Sequence, residues 1–214
     1  MPDTIRVKIC GLRTRAQIDA ARTAGADFIG LNFFAKSPRS VSIADAAALA
    51  AGAPTGLAKV ALVVNPDNDM LDRLTQEVAI DILQLHGGET VDRVRDIKSR
   101  YGLPTMKVVG VADAKDLPNL DDHMRVADMI LVDAKPPADA VLPGGNGLTF
   151  DWRLIAGRRW PVPWMLAGGL TPDNVAEAIR MTGATQVDVA SGVESAPGVK
   201  DPAKMAQFVA AARA

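Results

Sequence analysis

The 214-residue sequence has a single cysteine, Cys10, which rules out an internal disulfide framework and fits a reducing compartment. Histidine is almost as scarce. His86 has no second histidine or carboxylate at metal-ligand spacing, and His123 falls in a helical stretch, so no catalytic metal is expected. The sequence also lacks an excess of charge of either sign. Lys and Arg number 24 against 25 Asp and Glu, a net charge of -1, which offers no electrostatic footprint for nucleic acid or an anionic membrane. No apolar run approaches the roughly 20 residues needed to span a bilayer. The opening MPDTIRVKICG has no signal-peptide core. A soluble, cytoplasmic protein is expected, in which a phosphorylated ligand is held by a local site rather than a global field.

What is present is an ordinary globular composition, 48% hydrophobic and 23% charged, at a length that suits one α/β domain over residues 1–214. Short apolar runs alternate with amphipathic stretches along the whole chain. The predicted strands are 5–9, 27–33, 59–64, 81–86, 105–111, 129–133, 164–167 and 186–190. Between them lie helical patterns such as RAQIDAARTAG, where Ile18 and Ala21 share a face and Gly25 supplies a stop. Thr171 with Pro172, and Asp201 with Pro202, read as helix starts. Eight strands, each followed by a helix, predict a closed parallel (β/α)8 barrel, or TIM barrel, with strands buried on both faces. An open doubly wound sheet is the competing architecture. It should carry GxGxxG after the first strand, where this chain reads CGLRTR.

Barrel active sites lie at the carboxyl ends of the strands. The residues there are Cys10, Asn32, Asn65, His86, Asp133, Gly168–Gly169 and Ser191–Gly192, with Arg39 in the loop after the second strand. The glycines of LAGGL and ASGVE can aim backbone N–H groups into one concavity, the usual phosphate position of this fold, or can simply permit tight turns. On spacing alone Cys10 reads as a small core residue or a reactive thiol. Asp133 closes an apolar strand, so it must be solvated, functional or paired, with Lys135 as the neighbouring candidate. His86 reads as a ligand-binding or hydrogen-bonded rim residue. Arg39 reads as a solvated loop residue or an anion clamp.

Strand alternation also places Lys8 one layer below Cys10, on the same face, and puts Asp188 on the inward face of the last strand. Those strands are neighbours in a closed barrel, so Lys8 and Asp188 are expected to pair inside it. The same counting assigns Lys107 and Gln84 to inward faces.

The segments KICGL, GADFIGLNF, SPRSV, LQLHG, LVDA, GGNGLTFDW, LAGGLTPDNV and DVASGVE occur in an order that resembles the phosphoribosylanthranilate isomerase family over nearly the whole chain. The resemblance implies an Amadori rearrangement of N-(5-phosphoribosyl)anthranilate, with no cofactor, in tryptophan biosynthesis. It implies Cys10 as general base, Asp133 as general acid and Arg39 as partner of the anthranilate carboxylate. In those roles the Asp133 carboxyl should hold its proton in an apolar setting, and the Cys10 thiol should ionise below its usual value of about 8.5. A further expectation is a phosphorylated small molecule as sole partner, bound by a monomer or homodimer. The family's loop often reads GGSGKTFDW, and here Leu148 stands in the lysine position. A ribulose-phosphate-type epimerase would need metal-binding histidines, and an indoleglycerol-phosphate synthase an N-terminal extension and catalytic lysines. A mere sugar-phosphate binder would have no use for Cys10 facing Asp133.

Overall fold

The computed structural model describes residues 4–137, 140 and 142–214. Its strands are β1 (Arg6–Cys10), β2 (Phe28–Asn32), β3 (Ala58–Val63), β4 (Ile82–Leu85), β5 (Thr105–Val111), β6 (Met129–Ala134), β7 (Trp164–Leu166) and β8 (Gln186–Val189). They pair in sequence order, all parallel, and β8 pairs with β1 to close the barrel. Each strand overlaps its predicted segment. Among the described residues seven α-helices surround them: α1 (Arg15–Ala24), α2 (Ile43–Ala51), α3 (Asn68–Glu77), α4 (Val91–Tyr101), α5 (Leu117–Met124), α6 (Val175–Thr182) and α7 (Pro202–Ala212). A small antiparallel pair, β9 (Glu194–Ala196) and β10 (Val199–Lys200), follows β8.

Local chemistry explains most helix ends. The side chains of Thr14, Ser42, Asp67 and Thr90 each accept a backbone N–H from the first turn of α1 to α4. Caps of this kind are worth about 0.5–2 kcal/mol each. Gly25 ends α1 at φ 93°, a left-handed conformation that suits glycine. Asp201 caps α7 with Pro202 behind it, as expected. Thr171 does not cap α6. The chain makes an extra turn after it, Asn174 Oδ1 accepts the Thr171 N–H, and the helix starts at Val175.

The expected helix after β6 is also absent among the described residues. That connection runs through Pro136, Pro137, Pro143 and glycines at 144, 145 and 147, and among the described residues its helical structure is a 3-10 segment at Trp152–Leu154. Proline removes helical donors, and Gly145 and Gly147 adopt positive φ, so a helix cannot propagate here. The loop folds over the barrel mouth instead.

Alternation separates two apolar layers. Phe28, Val60, Ile82, Met106, Val108, Leu131 and Met165 fill the barrel interior, while residues such as Val7, Ile29, Val109 and Val132 pack against the helices. Lys8 and Gln84 lie on the inward faces as counted. Lys107 does not. Its neighbours Met106 and Val108 point inward, so Lys107 faces the helical shell and pairs there with Glu89 at 2.6 Å. The miscount by one residue moves the side chain to the other face.

Candidate active site

Parallel strands all present their carboxyl ends to one mouth, and here a solvent-open cavity lies there. Cys10, Asn32, Arg39, His86, Asp133, Gly168, Gly169, Asp188 and Ser191 all line it. Cys10 is the last residue of β1 and 4% exposed. Gly30 on β2 makes room for it, since a Cβ there would sit 2.6 Å from the Cys10 sulfur. Asp133 enters from β6, a strand that does not adjoin β1 in the barrel, so the two groups face one space from separate parts of the wall.

The setting of Asp133 is less apolar than the sequence suggests. Although 8% exposed, its Oδ1 accepts the Ala134 N–H at 2.8 Å, and its Oδ2 lies 3.5 Å from His86 Nε2. That gap suits electrostatic attraction but is too long for a good hydrogen bond. Gln84 Nε2 is 3.3 Å from His86 Nδ1. With the Gln84 amide in this orientation its nitrogen donates to Nδ1, which leaves Nε2 as the ring nitrogen that carries a hydrogen on the side of Asp133. Lys135 does not pair with Asp133. It reaches Asp116 instead. Asn65 also stands outside the cavity lining, fixed by hydrogen bonds to Gly88 and Glu89.

The expected lowering of the Cys10 pKa is not what the structure produces. Burial pushes the thiol up, Lys8 pulls it down, Asp188 pushes it up again and Lys200 pulls it down. The balance lies above the ordinary cysteine value. Desolvation wins because a buried thiolate loses its water and gains only two nearby cations.

Arg39 is a buried residue rather than a solvated loop arginine. Its Nε and Nη2 donate to Glu194 at 2.8 and 2.9 Å, and Nη2 is 3.4 Å from the Gly145 carbonyl. The two-pronged fork expected to clamp a ligand carboxylate is therefore occupied by Glu194. The outer Nη1, which makes no hydrogen bond among the described residues, is the nitrogen left facing the loop. Lys200 completes this cluster, donating to Glu194 at 2.8 Å and to the Ala190 carbonyl at 2.7 Å. Burial pushes the Glu194 carboxyl up, but Arg39 and Lys200 outweigh it and hold it below the usual carboxylate range. Glu194 and Lys200 were not singled out from sequence. Glu194 does close the DVASGVE segment, but a partner more than a hundred residues away leaves no local signature.

The glycine turns after β7 and β8 form the next part of the rim. Gly168 and Gly169 take positive φ of 87° and 60°, and no hydrogen bond among the described residues uses their N–H groups or that of Ser191. Unpaired N–H donors around a concavity form an anion-binding surface. Gly192 does not line the cavity. A Cβ there would meet the Leu170 carbonyl at 2.0 Å, so its glycine serves close packing behind Ser191. Gly144 lies over His86 and Asp133, and Gly145 over Arg39, so the loop after β6 roofs the site. Among the described residues no cluster of histidine, cysteine and carboxylates is arranged to hold a metal ion, and no helix is long and apolar enough to cross a membrane.

Comparison with known proteins agrees with this geometry. The sequence model of the N-(5'-phosphoribosyl)anthranilate (PRA) isomerase family matches residues 7–211. The chain is 64% identical over 211 residues to N-(5'-phosphoribosyl)anthranilate isomerase of Ruegeria sp., covering 98% of each sequence. The crystal structure of phosphoribosyl anthranilate isomerase from Thermotoga maritima superposes with a TM-score of 0.88 at 33% identity, covering 97% of this chain and 98% of that one. Another solved phosphoribosyl anthranilate isomerase, in complex with reduced 1-(o-carboxyphenylamino)-1-deoxyribulose 5-phosphate, gives a TM-score of 0.85 at 32% identity, with coverage of 97% and 98%. The chain belongs to the N-(5'-phosphoribosyl)anthranilate isomerase family.

Proposed function

We propose that the barrel mouth catalyses its family's isomerisation by acid–base chemistry, with Asp133 as the acid and Cys10 as the base. The reaction converts N-(5-phosphoribosyl)anthranilate to 1-(2-carboxyphenylamino)-1-deoxy-D-ribulose 5-phosphate in tryptophan biosynthesis. One observation carries the assignment of roles: Cys10 and Asp133 enter a single cavity from non-adjacent strands, leaving room for a sugar between them.

The Asp133 carboxyl gives its proton to the ribose ring oxygen as the C1–O bond breaks, and the nitrogen lone pair forms the C1=N bond. The Cys10 thiolate then takes the proton from C2. The C2–H electron pair becomes the C1=C2 bond, and the C1=N pair returns to nitrogen. The resulting enol-amine tautomerises to the ketone. Carbon C2 ends oxidised and C1 reduced, so the scheme moves protons only and calls for no cofactor. His86, with its Nε2–H directed at Asp133, orients the carboxyl and follows the developing carboxylate.

For the substrate, the N–H groups of Gly168, Gly169 and Ser191 offer the phosphate site, with Gly192 supporting the turn. Arg39 Nη1 offers the carboxylate contact, held in place by Glu194. The bound product analogue of the solved relative carries both a carboxyl and a phosphate group, which supports a site with two anion-binding ends. Incubating the purified protein with N-(5-phosphoribosyl)anthranilate should make the substrate's anthranilate fluorescence disappear. Fluorescence that persists at the buffer rate would reject the reading.

A further inference from the structure

We propose that Lys8 is the positioning residue that makes Cys10 usable as an anion, and that Asp188 limits how far it does so. The proposal rests on Cys10 being the base.

Lys8 and Cys10 lie on one face of β1, with Lys8 one layer deeper and wholly buried. Residues Lys8 and Asp188 are directly paired in the β1–β8 register, and Lys8 Nζ donates to Asp188 Oδ1 at 2.8 Å. Asp188 and Cys10 both line the cavity, so the carboxylate end of the ion pair meets it while Lys8 is buried behind. Phe28, beside Lys8 in the β1–β2 register, and Val60, Leu131 and Met165 fill the barrel interior, exclude water and leave the charges poorly screened. Packing alone gives no reason for a lysine here, because apolar residues of similar volume usually replace a buried ion pair without loss of stability. The group nearby with a use for the positive charge is the Cys10 sulfur.

The other titratable groups facing that sulfur come from three directions. Lys200 of β10 is a second, more remote cation, tied to Glu194 and Arg39. Asp133 of β6 and His86 after β4 stand on the far side of the cavity. The adjoining β2 presents Gly30 and Asn32, which carry no charge. Burial alone drives the Lys8 ammonium down, but Asp188 and Cys10 together outweigh it, so Lys8 stands above the ordinary lysine value and keeps its proton. It therefore donates no proton in the reaction. It lowers the energy of the thiolate before C2 deprotonation, and its pull on the thiol exceeds the opposing push of Asp188.

Because Cys10 is the sole cysteine, thiolate absorbance in the ultraviolet reports this residue alone. Titrations of wild type, Lys8→Met and Asp188→Asn, each checked for folding by circular dichroism, test the proposal. Lys8→Met should raise the Cys10 pKa by about one unit or more and slow its alkylation by iodoacetamide at fixed pH about tenfold. Its pH profile of kcat/KM should move by the same amount. Asp188→Asn should shift the thiol pKa the opposite way. A loss of folding quality would move both variants alike, so shifts in the same direction, or none in Lys8→Met, overturn the proposal. If Lys8→Met fails to fold, Lys8→Gln, which removes the charge but keeps a hydrogen-bond donor for Asp188, decides in its place, and a thiol pKa that falls or stays put counts against the proposal. Failure of the base assignment is separately visible, since Cys10→Ala would then keep its activity whatever the titrations show.

Discussion

Two of the buried lysine–carboxylate pairs stand on either side of the same barrel wall, and they behave differently. Lys8–Asp188 lies inside, under the mouth. Lys107–Glu89 lies outside, between β5 and the helical shell. Their distances, 2.8 and 2.6 Å, are alike. Their surroundings are not. Lys107 has one anionic neighbour plus the Leu85 and Gly87 carbonyls, and burial wins, holding it below the ordinary lysine value. Lys8 has the Asp188 carboxylate and the Cys10 sulfur, and they win over burial. The outer pair clamps the loop after β4, whereas the inner pair presents charge to a reactive group. Burial and distance by themselves do not tell a structural ion pair from one that serves chemistry. The next neighbour does.

The largest expected effect is on Cys10, which the inner pair serves, and on Asp133, which faces it across the cavity. Cys10→Ala and Asp133→Asn should each lower kcat by about a hundredfold or more, with much less change in KM. Near-full kcat in either variant would remove that residue from the mechanism and, for Cys10, remove the functional side of the contrast.

The outer pair should be the purely structural one. Lys107→Met leaves Glu89 buried and unpaired, which should cost about 3–5 kcal/mol in urea unfolding while kcat of the folded fraction stays at wild-type level. Its pH dependence sharpens the point. A lysine with a depressed folded pKa makes the protein more stable as pH rises toward the ordinary value of 10.5, so the penalty of Lys107→Met should grow over that window. Lys8, with a raised folded pKa, contributes fully below 10.5 and loses its contribution as pH rises above it, so the penalty of Lys8→Met should shrink there. Parallel alkaline trends in the two variants would erase the distinction.

A third buried pair, Arg39–Glu194, extends the comparison to binding. Arg39→Ala should raise KM about 10- to 100-fold, the size of a charge-assisted hydrogen bond, with kcat little altered. A product analogue without the carboxylate should bind variant and wild type equally. Unequal binding would assign Arg39 another ligand group.

The smallest effect is expected at Leu148 in the roofing loop, 42% exposed. Leu148→Lys restores the residue often found in the family's loop, touches neither pair, and should leave stability within about 0.5 kcal/mol. A change in KM beyond about threefold would show that the roof contributes to binding more than its exposure suggests.

Legibility from sequence followed the range of the interaction. Strand positions, the stop at Gly25, the cap at Asp201 and the Lys8–Asp188 contact were readable because alternation and capping are local and barrel closure makes the first and last strands neighbours. Counting failed at Lys107, where β5 begins one residue out of the assumed phase, and at Thr171, where an extra turn delays the helix. The loop after β6 shows its prolines and glycines openly, yet only its folded path brings Gly144 over Asp133.

By itself, then, the sequence determined the closed barrel, the family, and the cluster of Cys10, Asp133, Arg39 and the glycine turns at one mouth, because periodic burial and strand ends are properties of short segments. Tertiary structure alone decided which charges those residues meet. Glu194 takes the Arg39 fork, Lys135 goes to Asp116, and desolvation holds the Cys10 thiol up. The physical reason is that Coulomb energy and desolvation depend on distances and water access across the whole fold, which residue spacing does not encode.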